Sequence, residues 1–374
     1  MEIEDIILKE GDAYLSNPNL KRANTSIQFT EEQIIEFLNC KDDPVYFAKK
    51  YIKIVNVDEG LIGFNMWPFQ EKLVDNFHKN RFNICKMPRQ VGKTTTVVSY
   101  LLHYILFNDN VNVGILANKA TTSREILGRL QLSYENLPKW LQQGVIVWNR
   151  GSLELENGSK IIAASTSASA VRGMSFNIIF LDEFAFVPNH IADDFFASVY
   201  PTISSGKKSK VIIVSTPKGM NHFYRMWHDA ERHKSEFVAT EVHWSEVPGR
   251  DEQWKATTIS NTSEEQFRAE HLCEFLGSVG TLINPSKLKI LVYDDALKRS
   301  KGLDVYENPK EEQNYLITVD VARGIGNDYS AFVVFDITDI PYKVVAKYKN
   351  NEIKPMLFPQ LLMKLQRHII ILGY

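Results

Sequence analysis

The 374-residue chain predicts an α/β fold, a parallel sheet with helices on both faces, followed by a smaller β-rich part. Three observations carry this. From residue 81 short apolar strands alternate with helical stretches, the βαβ pattern that produces parallel sheets. The stretches 177–181 and 211–215 are each apolar at every residue but one, as strands buried on both faces are. Between about 277 and 313 the pattern breaks down into Gly, Pro, Lys and Glu, and a new run of strands begins beyond it.

Residues 1–28 are polar and Asn-rich and predict an arm with little core of its own. Thr30-Glu31-Glu32-Gln33 is a capping box opening the helix that carries Ile34, Ile35, Phe37 and Leu38. Asp42-Asp43-Pro44 starts a second helix, with Pro in the first turn, where its missing N–H costs nothing. Strand 81–87 precedes helix 94–107, and strand 111–117 precedes helix 123–135. The stretches 145–148, 153–155 and 160–164 predict a small antiparallel insert turning at Asn157-Gly158. Strand 177–181, helix 191–199 and strand 211–215 complete the first pattern. Strands 315–320, 331–336 and 343–349 and a helix near 356–367 form the second. The domains expected are a helical arm (1–60), a core (61–219), a small subdomain (220–276), a linker (277–313) and an incomplete final domain (314–374).

Composition excludes several classes. The chain is 44% hydrophobic and 24% charged, and no apolar run reaches the ~18 residues that span a bilayer. Its start, MEIEDIILKEGD, lacks the apolar core of a signal peptide. Cys40, Cys85 and Cys273 are too dispersed for a disulfide framework or a local zinc cluster, which fits a reducing cytoplasm. A net charge of −2 leaves DNA contact to local basic surfaces. Lys207, Lys208 and Lys210, and Lys287, Lys289, Lys298, Arg299 and Lys301, are the two candidates, with solvated loop charge as the alternative.

Met87-Pro88-Arg89-Gln90-Val91-Gly92-Lys93-Thr94 lies between a strand and a helix, the context a phosphate-binding loop needs. Met87 stands where the usual pattern has its first Gly. Pro88, Gln90, Val91, Gly92 and Thr95 belong to this loop and helix start; Lys93 would contact phosphates, and Thr94 would hold Mg²⁺ through its hydroxyl. Strand 177–181 runs into Asp182 and Glu183, which a parallel sheet would bring to the same rim. There Asp182 would bind Mg²⁺ and Glu183 would polarise the attacking water. Arg89 and Arg172 are both candidates for stabilising the transferred phosphoryl group, in cis or from a neighbouring subunit; either could instead be a structural ion pair. Gln70 with Phe69 could read adenine, or supply a cap and a core side chain to an amphipathic helix. Ser215-Thr216-Pro217 could sense the γ-phosphate, or simply end a strand.

The order of these pieces resembles superfamily-two helicases and, in more detail, the terminase large subunits of tailed bacteriophages, especially contractile-tailed ones. The resemblance rests on the deviant loop 88–94, on Ala170-Val171-Arg172-Gly173 ahead of Leu181-Asp182-Glu183-Phe184-Ala185-Phe186, and on Ser215-Thr216-Pro217-Lys218-Gly219 with Asn221-His222-Phe223-Tyr224. Gly280-Thr281-Leu282-Ile283, Asn17-Pro18-Asn19-Leu20-Lys21-Arg22-Ala23-Asn24 and Asp42-Asp43 through Phe47 add to it. It implies a RecA-like P-loop ATPase using ATP and Mg²⁺, with Phe69 and Gln70 as adenine motif, Ser215, Thr216 and Pro217 as coupling motif, and Arg89 and Arg172 competing for one finger role.

Thr318-Val319-Asp320-Val321-Ala322-Arg323-Gly324 and Asp328-Tyr329-Ser330-Ala331 resemble the first segment of an RNase H-like nuclease, which gathers acids around two divalent metals, Mg²⁺ or Mn²⁺. Asp320 matches the first acid, Asp328 lies nearby, and the remaining acids are expected beyond residue 374, so no competent nuclease is expected here. The resemblance further implies double-stranded DNA, a portal protein, a small terminase subunit and a homo-oligomeric ring as partners, and no membrane. It places the motor in the host cytoplasm, transiently docked on the procapsid and absent from the mature virion. The alternatives are a helicase or remodelling ATPase, or an assembly fragment that binds nucleotide without turnover.

Overall fold

Two short strands, β1 (Ala13–Tyr14) and β2 (Asn17–Lys21), pair in the N-terminal arm. The arm borrows the core of its neighbour. Leu20 is buried there, and the Gln142 side chain accepts from the Lys21 N–H (3.0 Å) and donates to the Asn19 carbonyl (2.9 Å). The capping box at Thr30 forms and opens α1 (Glu31–Asp42); Asp43 then caps α2 (Pro44–Tyr51). In α1 the apolar Ile34, Ile35 and Leu38 are exposed while Gln33, Glu36 and Cys40 are buried. Glu36 tolerates this because the Tyr46 and Tyr51 hydroxyls donate to it and Lys50 pairs with it.

The computed structural model describes residues 3–9, 11–167, 174–204, 206–276, 295–324, 326 and 328–370, in two units, Met1–Ser286 and Lys287–Tyr374. In the first, a hairpin of β3 (Lys53–Asn56) and β4 (Gly60–Gly63) leads to α3 (Pro68–Lys79), β5 (Phe82–Lys86), α4 (Lys93–Phe107), β6 (Asn112–Ala117) and α5 (Ala120–Glu135). There follow β7 (Val145–Trp148), β8 (Ser152–Leu155), β9 (Lys160–Ser165), β10 (Ile178–Asp182), α6 (Asn189–Ser204), β11 (Lys210–Ser215), α7 (His222–Glu231), β12 (Val238–Glu241), α8 (Glu252–Asn261) and α9 (Glu264–Glu270).

The eight strands of the main sheet run in the order β12-β5-β11-β10-β6-β9-β8-β7. Every pair from β12 to β9 is parallel. Successive residues of the central strands point to opposite cores: Ile178, Phe180, Ile212 and Val214 enter the one capped by α4, and Ile179, Leu181, Val211 and Ile213 enter the one built with α6 and α7. This gives the predicted RecA-like α/β architecture. Two boundaries differ from expectation. The stretch 160–164, expected in a separate antiparallel insert, is a parallel member of the main sheet, because β9 hydrogen-bonds along all of β6; only β8 and β7 are antiparallel. Val238–Glu241, expected in the small subdomain, forms the edge of the same sheet against β5.

In the second unit β13 (Lys298–Ser300), β14 (Leu303–Val305), β15 (Tyr315–Asp320), β16 (Ser330–Asp336) and β17 (Lys343–Asn350) make an antiparallel sheet in the order β13-β14-β17-β16-β15, followed by α10 (Phe358–Ile370). β13 and β14 arise within the stretch expected to be a linker. Phe332, Val334, Ala346, Tyr348 and Phe358 form its core. Among the described residues no helix is long and apolar enough to cross a membrane.

Candidate nucleotide site

The loop 87–92 leaves β5 and enters α4 at Gly92, whose φ of +71° and lack of a Cβ are both used. A side chain there would meet Gln70 Nε2 at 2.6 Å. Gln70 lies beneath the loop, Phe69 is in the core, and neither lines the cleft. Gln70 is buried, accepts from the Trp67 N–H (2.9 Å) and donates to the Val91 carbonyl (3.2 Å); Phe69 packs in the core. The cap-and-core alternative describes their positions, and the same amide braces the loop.

β11 lies between β5 and β10 in the sheet, so the three strand ends meet with the Ser215-Thr216 turn in the middle. Lys93, the first residue of α4, is buried; its ammonium donates to Thr216 Oγ1 (3.0 Å) and pairs with Glu183. The Thr216 hydroxyl donates to the Met87 carbonyl (3.2 Å), and its N–H reaches Glu183 Oε2 (3.4 Å). Ser215 Oγ accepts from the Ala185 N–H (3.0 Å), which fixes the turn after β10. Glu183 sits in the left-handed region (φ 49°), a conformation that costs a side-chain-bearing residue about 1 kcal/mol or more and recurs at functional sites.

Asp182 is 4% exposed, and its Oδ1 has no hydrogen-bond partner. Burial, and next the negative charge of Glu183, push its carboxyl up to about 7. A buried, orphaned carboxylate at this rim fits a divalent cation, and Thr94, the second residue of α4, is half-buried. Among the described residues no group of three or more His, Cys, Asp or Glu could enclose a metal ion by itself.

A cleft of about 470 Å³ opens over this rim, within the usual size range of small-molecule sites. Arg89, Gln90, Lys93 and Glu183 line it, as do Asn118, Lys119, Thr122 and Phe186. The last four are absent from the sequence-based set. The first three follow β6, which neighbours β10, and the carboxyl-end rule for parallel sheets would have found them. Arg89 pairs with Glu270 (3.3 Å). Thr95 is half-buried in the first turn of α4, and Pro88, Val91 and Pro217 are buried around the loop. Arg172, with 170–173, lies outside the described residues, as do 280–283, Lys287 and Lys289.

Of the basic candidates, Lys207 and Lys208 are exposed, but Lys210 is structural: its ammonium donates to the carbonyls of Phe77, His78 and Asn80 at the end of α3. Lys298, Arg299 and Lys301 are exposed, with Arg299 paired to Asp295 and Asp304. In the second unit Asp320 and Asp328 are both exposed, Asp320 at the end of β15 and Asp328 before β16.

The parallel sheet, the loop entering α4 and the acid-ended neighbouring strand together define the class of RecA-like P-loop proteins. Within that class the sequence is more specific. The family model for the terminase large subunit, T4-like-virus type, N-terminal, matches residues 84–290, more than half of the chain, and the chain belongs to this family. It is 26% identical to the terminase large subunits of Thermus phage G20c and Thermus virus P23-45 over 182 residues, 45% of this chain and 36% of each relative. The match thus spans about a third of the length of these curated relatives. The crystal structure of the HK97 bacteriophage large terminase shares the fold, with a TM-score of 0.54 and 20% identity over 82% of this chain and 67% of that one.

Proposed function

We propose that this chain hydrolyses Mg²⁺-ATP as the motor of a DNA-packaging terminase, moving double-stranded DNA through a portal into a procapsid. The observation that carries the reading is the junction of Lys93, Thr216 and Glu183, where residues from three strand ends share one hydrogen-bonded network. Lys93 and the N-terminus of α4 attract the phosphates of ATP. Phosphate oxygens then compete with Glu183 for the Lys93 ammonium, and Glu183, once released, orients and deprotonates the attacking water. Thr216 touches both Lys93 and Glu183, so loss of the γ-phosphate changes its hydrogen bonds directly. Mg²⁺ would be held by Thr94 and Asp182 and would supply charge neutralisation on the phosphates. Arg89 or Arg172 stabilises the transferred phosphoryl group. The working assembly is a homo-oligomeric ring on the portal, served by a small terminase subunit, in the host cytoplasm and not in the mature virion.

Steady-state ATP hydrolysis by the parent and by Glu183→Gln, over a range of protein concentrations, tests this. Turnover should fall by about 10²–10⁴-fold in the variant with nucleotide binding retained. Equal rates would remove Glu183 as the base and the motor reading with it. Turnover per subunit that rises with concentration assigns the finger role to a neighbouring subunit's Arg172; concentration-independent turnover assigns it to Arg89.

A further inference from the structure

The phosphate loop is gripped from outside the sheet by the segment 244–271. The Arg89 N–H donates to the Glu270 carbonyl (3.0 Å). The Arg250 guanidinium donates to the carbonyls of Arg89 (3.2 and 3.3 Å) and Gln90 (2.9 Å). Gln90 is the left-handed residue of the loop that carries a side chain (φ 57°), so Arg250 holds it where the backbone least favours one. In a trans peptide the C=O and the following N–H point opposite ways. Fixing the Arg89 and Gln90 carbonyls on the Arg250 side therefore aims the N–H groups of Gln90 and Val91 to the other side of the loop. Backbone N–H groups presented in this way are what a phosphate loop offers its ligand.

Arg250 is itself placed by stacking. Its guanidinium lies 4.6 Å from the centre of the Trp254 ring. Trp254 stacks on Trp244 (5.8 Å, 22°), and Phe267 packs edge-on to Trp244 (5.7 Å) and tilted against Trp254 (6.1 Å). Trp254 belongs to α8 and Phe267 to α9, so the cluster that aims Arg250 also joins those helices.

We propose that Arg250 is a positioning residue: its fork on the Arg89 and Gln90 carbonyls sets the phosphate loop in its ligand-accepting shape, and its stack on Trp254 makes α8 and α9 respond to that loop. The proposal rests on reading 87–94 as the phosphate site of an ATPase. Lysine is not equivalent, because an ammonium has no planar face to lie on Trp254 while it reaches the Arg89 and Gln90 carbonyls.

The test is hydrogen exchange read by mass spectrometry over 87–93 and 244–271, with and without Mg²⁺-ATPγS, alongside steady-state hydrolysis. The proteins are the full chain, Arg250→Ala, Arg250→Lys and Trp254→Leu; the lysine variant keeps the charge and the aliphatic stem if the alanine variant fails to fold. Without nucleotide, exchange over 87–93 should quicken roughly tenfold in both Arg250 variants, the loss of charge-assisted hydrogen bonds. The KM for ATP should rise roughly tenfold while kcat changes little. Nucleotide should protect 244–271 in the parent and fail to do so in Arg250→Ala and Trp254→Leu. Parental loop exchange and parental KM in both Arg250 variants would overturn the proposal. A parent that neither binds nor hydrolyses ATP overturns the ATPase reading instead, and loop exchange in the unliganded variants still decides whether the clamp exists.

Discussion

Asp182 and Asp320 each end an apolar strand, yet the two units give them different surroundings. β10 has a parallel neighbour on each side, so the loops leaving three strands converge where Asp182 sits, and residues more than eighty positions apart in sequence meet there. Among the described residues β15 is the edge of an antiparallel sheet and pairs only with β16, so the end of the strand meets the start of its own hairpin partner. Asp182 is 4% exposed with an orphaned oxygen, whereas Asp320 is exposed. Parallel packing gathers distant chemistry at one rim, while a hairpin gathers only its own neighbours.

Breaking the buried side of this comparison should have the largest effect. Asp182→Asn should lower ATP hydrolysis at least about a hundredfold, the scale of losing a metal-binding carboxylate. The same change should stabilise the nucleotide-free fold. With its ordinary value at 3.8 and its folded value raised to about 7, Asp182 holds a proton across that window that the unfolded chain has released. Its contribution to stability is complete below pH 3.8 and is lost as the pH rises towards 7. Asp182→Asn should therefore melt higher than the parent at pH 8, by a margin of up to about 4 kcal/mol that shrinks towards pH 4. Thermal melts at several pH values measure this, and a destabilised variant at pH 8 would contradict the burial argument.

A smaller effect is expected at the hinge of the network. Thr216→Val keeps the buried shape but removes the hydroxyl that joins Met87 and Lys93, and should cost about 1–2 kcal/mol in denaturant unfolding. If stability is untouched, the hydroxyl serves only the bound state. The smallest effect is expected in the second unit: Asp320→Asn should leave both ATP hydrolysis and the melting temperature of the chain unchanged. A drop in hydrolysis would show that the two units are coupled.

The residues that meet at the candidate site were largely legible because its elements are local in sequence. The loop at 87–94, the acid pair after an apolar strand and the Ser215-Thr216 turn each carry their context within a few residues. Gln70 was ambiguous for the same reason: adenine contact and helix cap begin from the same Phe-Gln pair, and only the burial under Val91 and Gly92 places its amide beneath the loop. Lys210 misled because a lysine that satisfies three helix-end carbonyls looks in sequence like any basic surface residue.

What the sequence by itself determined was periodicity and punctuation: alternating strands and helices, capping residues, and the acids at strand ends. Strand order was decided only by the tertiary structure, since hydrophobic pattern says which strands are buried but not which lie side by side. That order inserted β11 between β5 and β10, drew β9 and β12 into the main sheet, and carried Asn118, Lys119 and Thr122 to the cleft. It also brought Arg250 and Glu270 onto the loop from about 160 to 180 positions away, across contacts that no local pattern encodes.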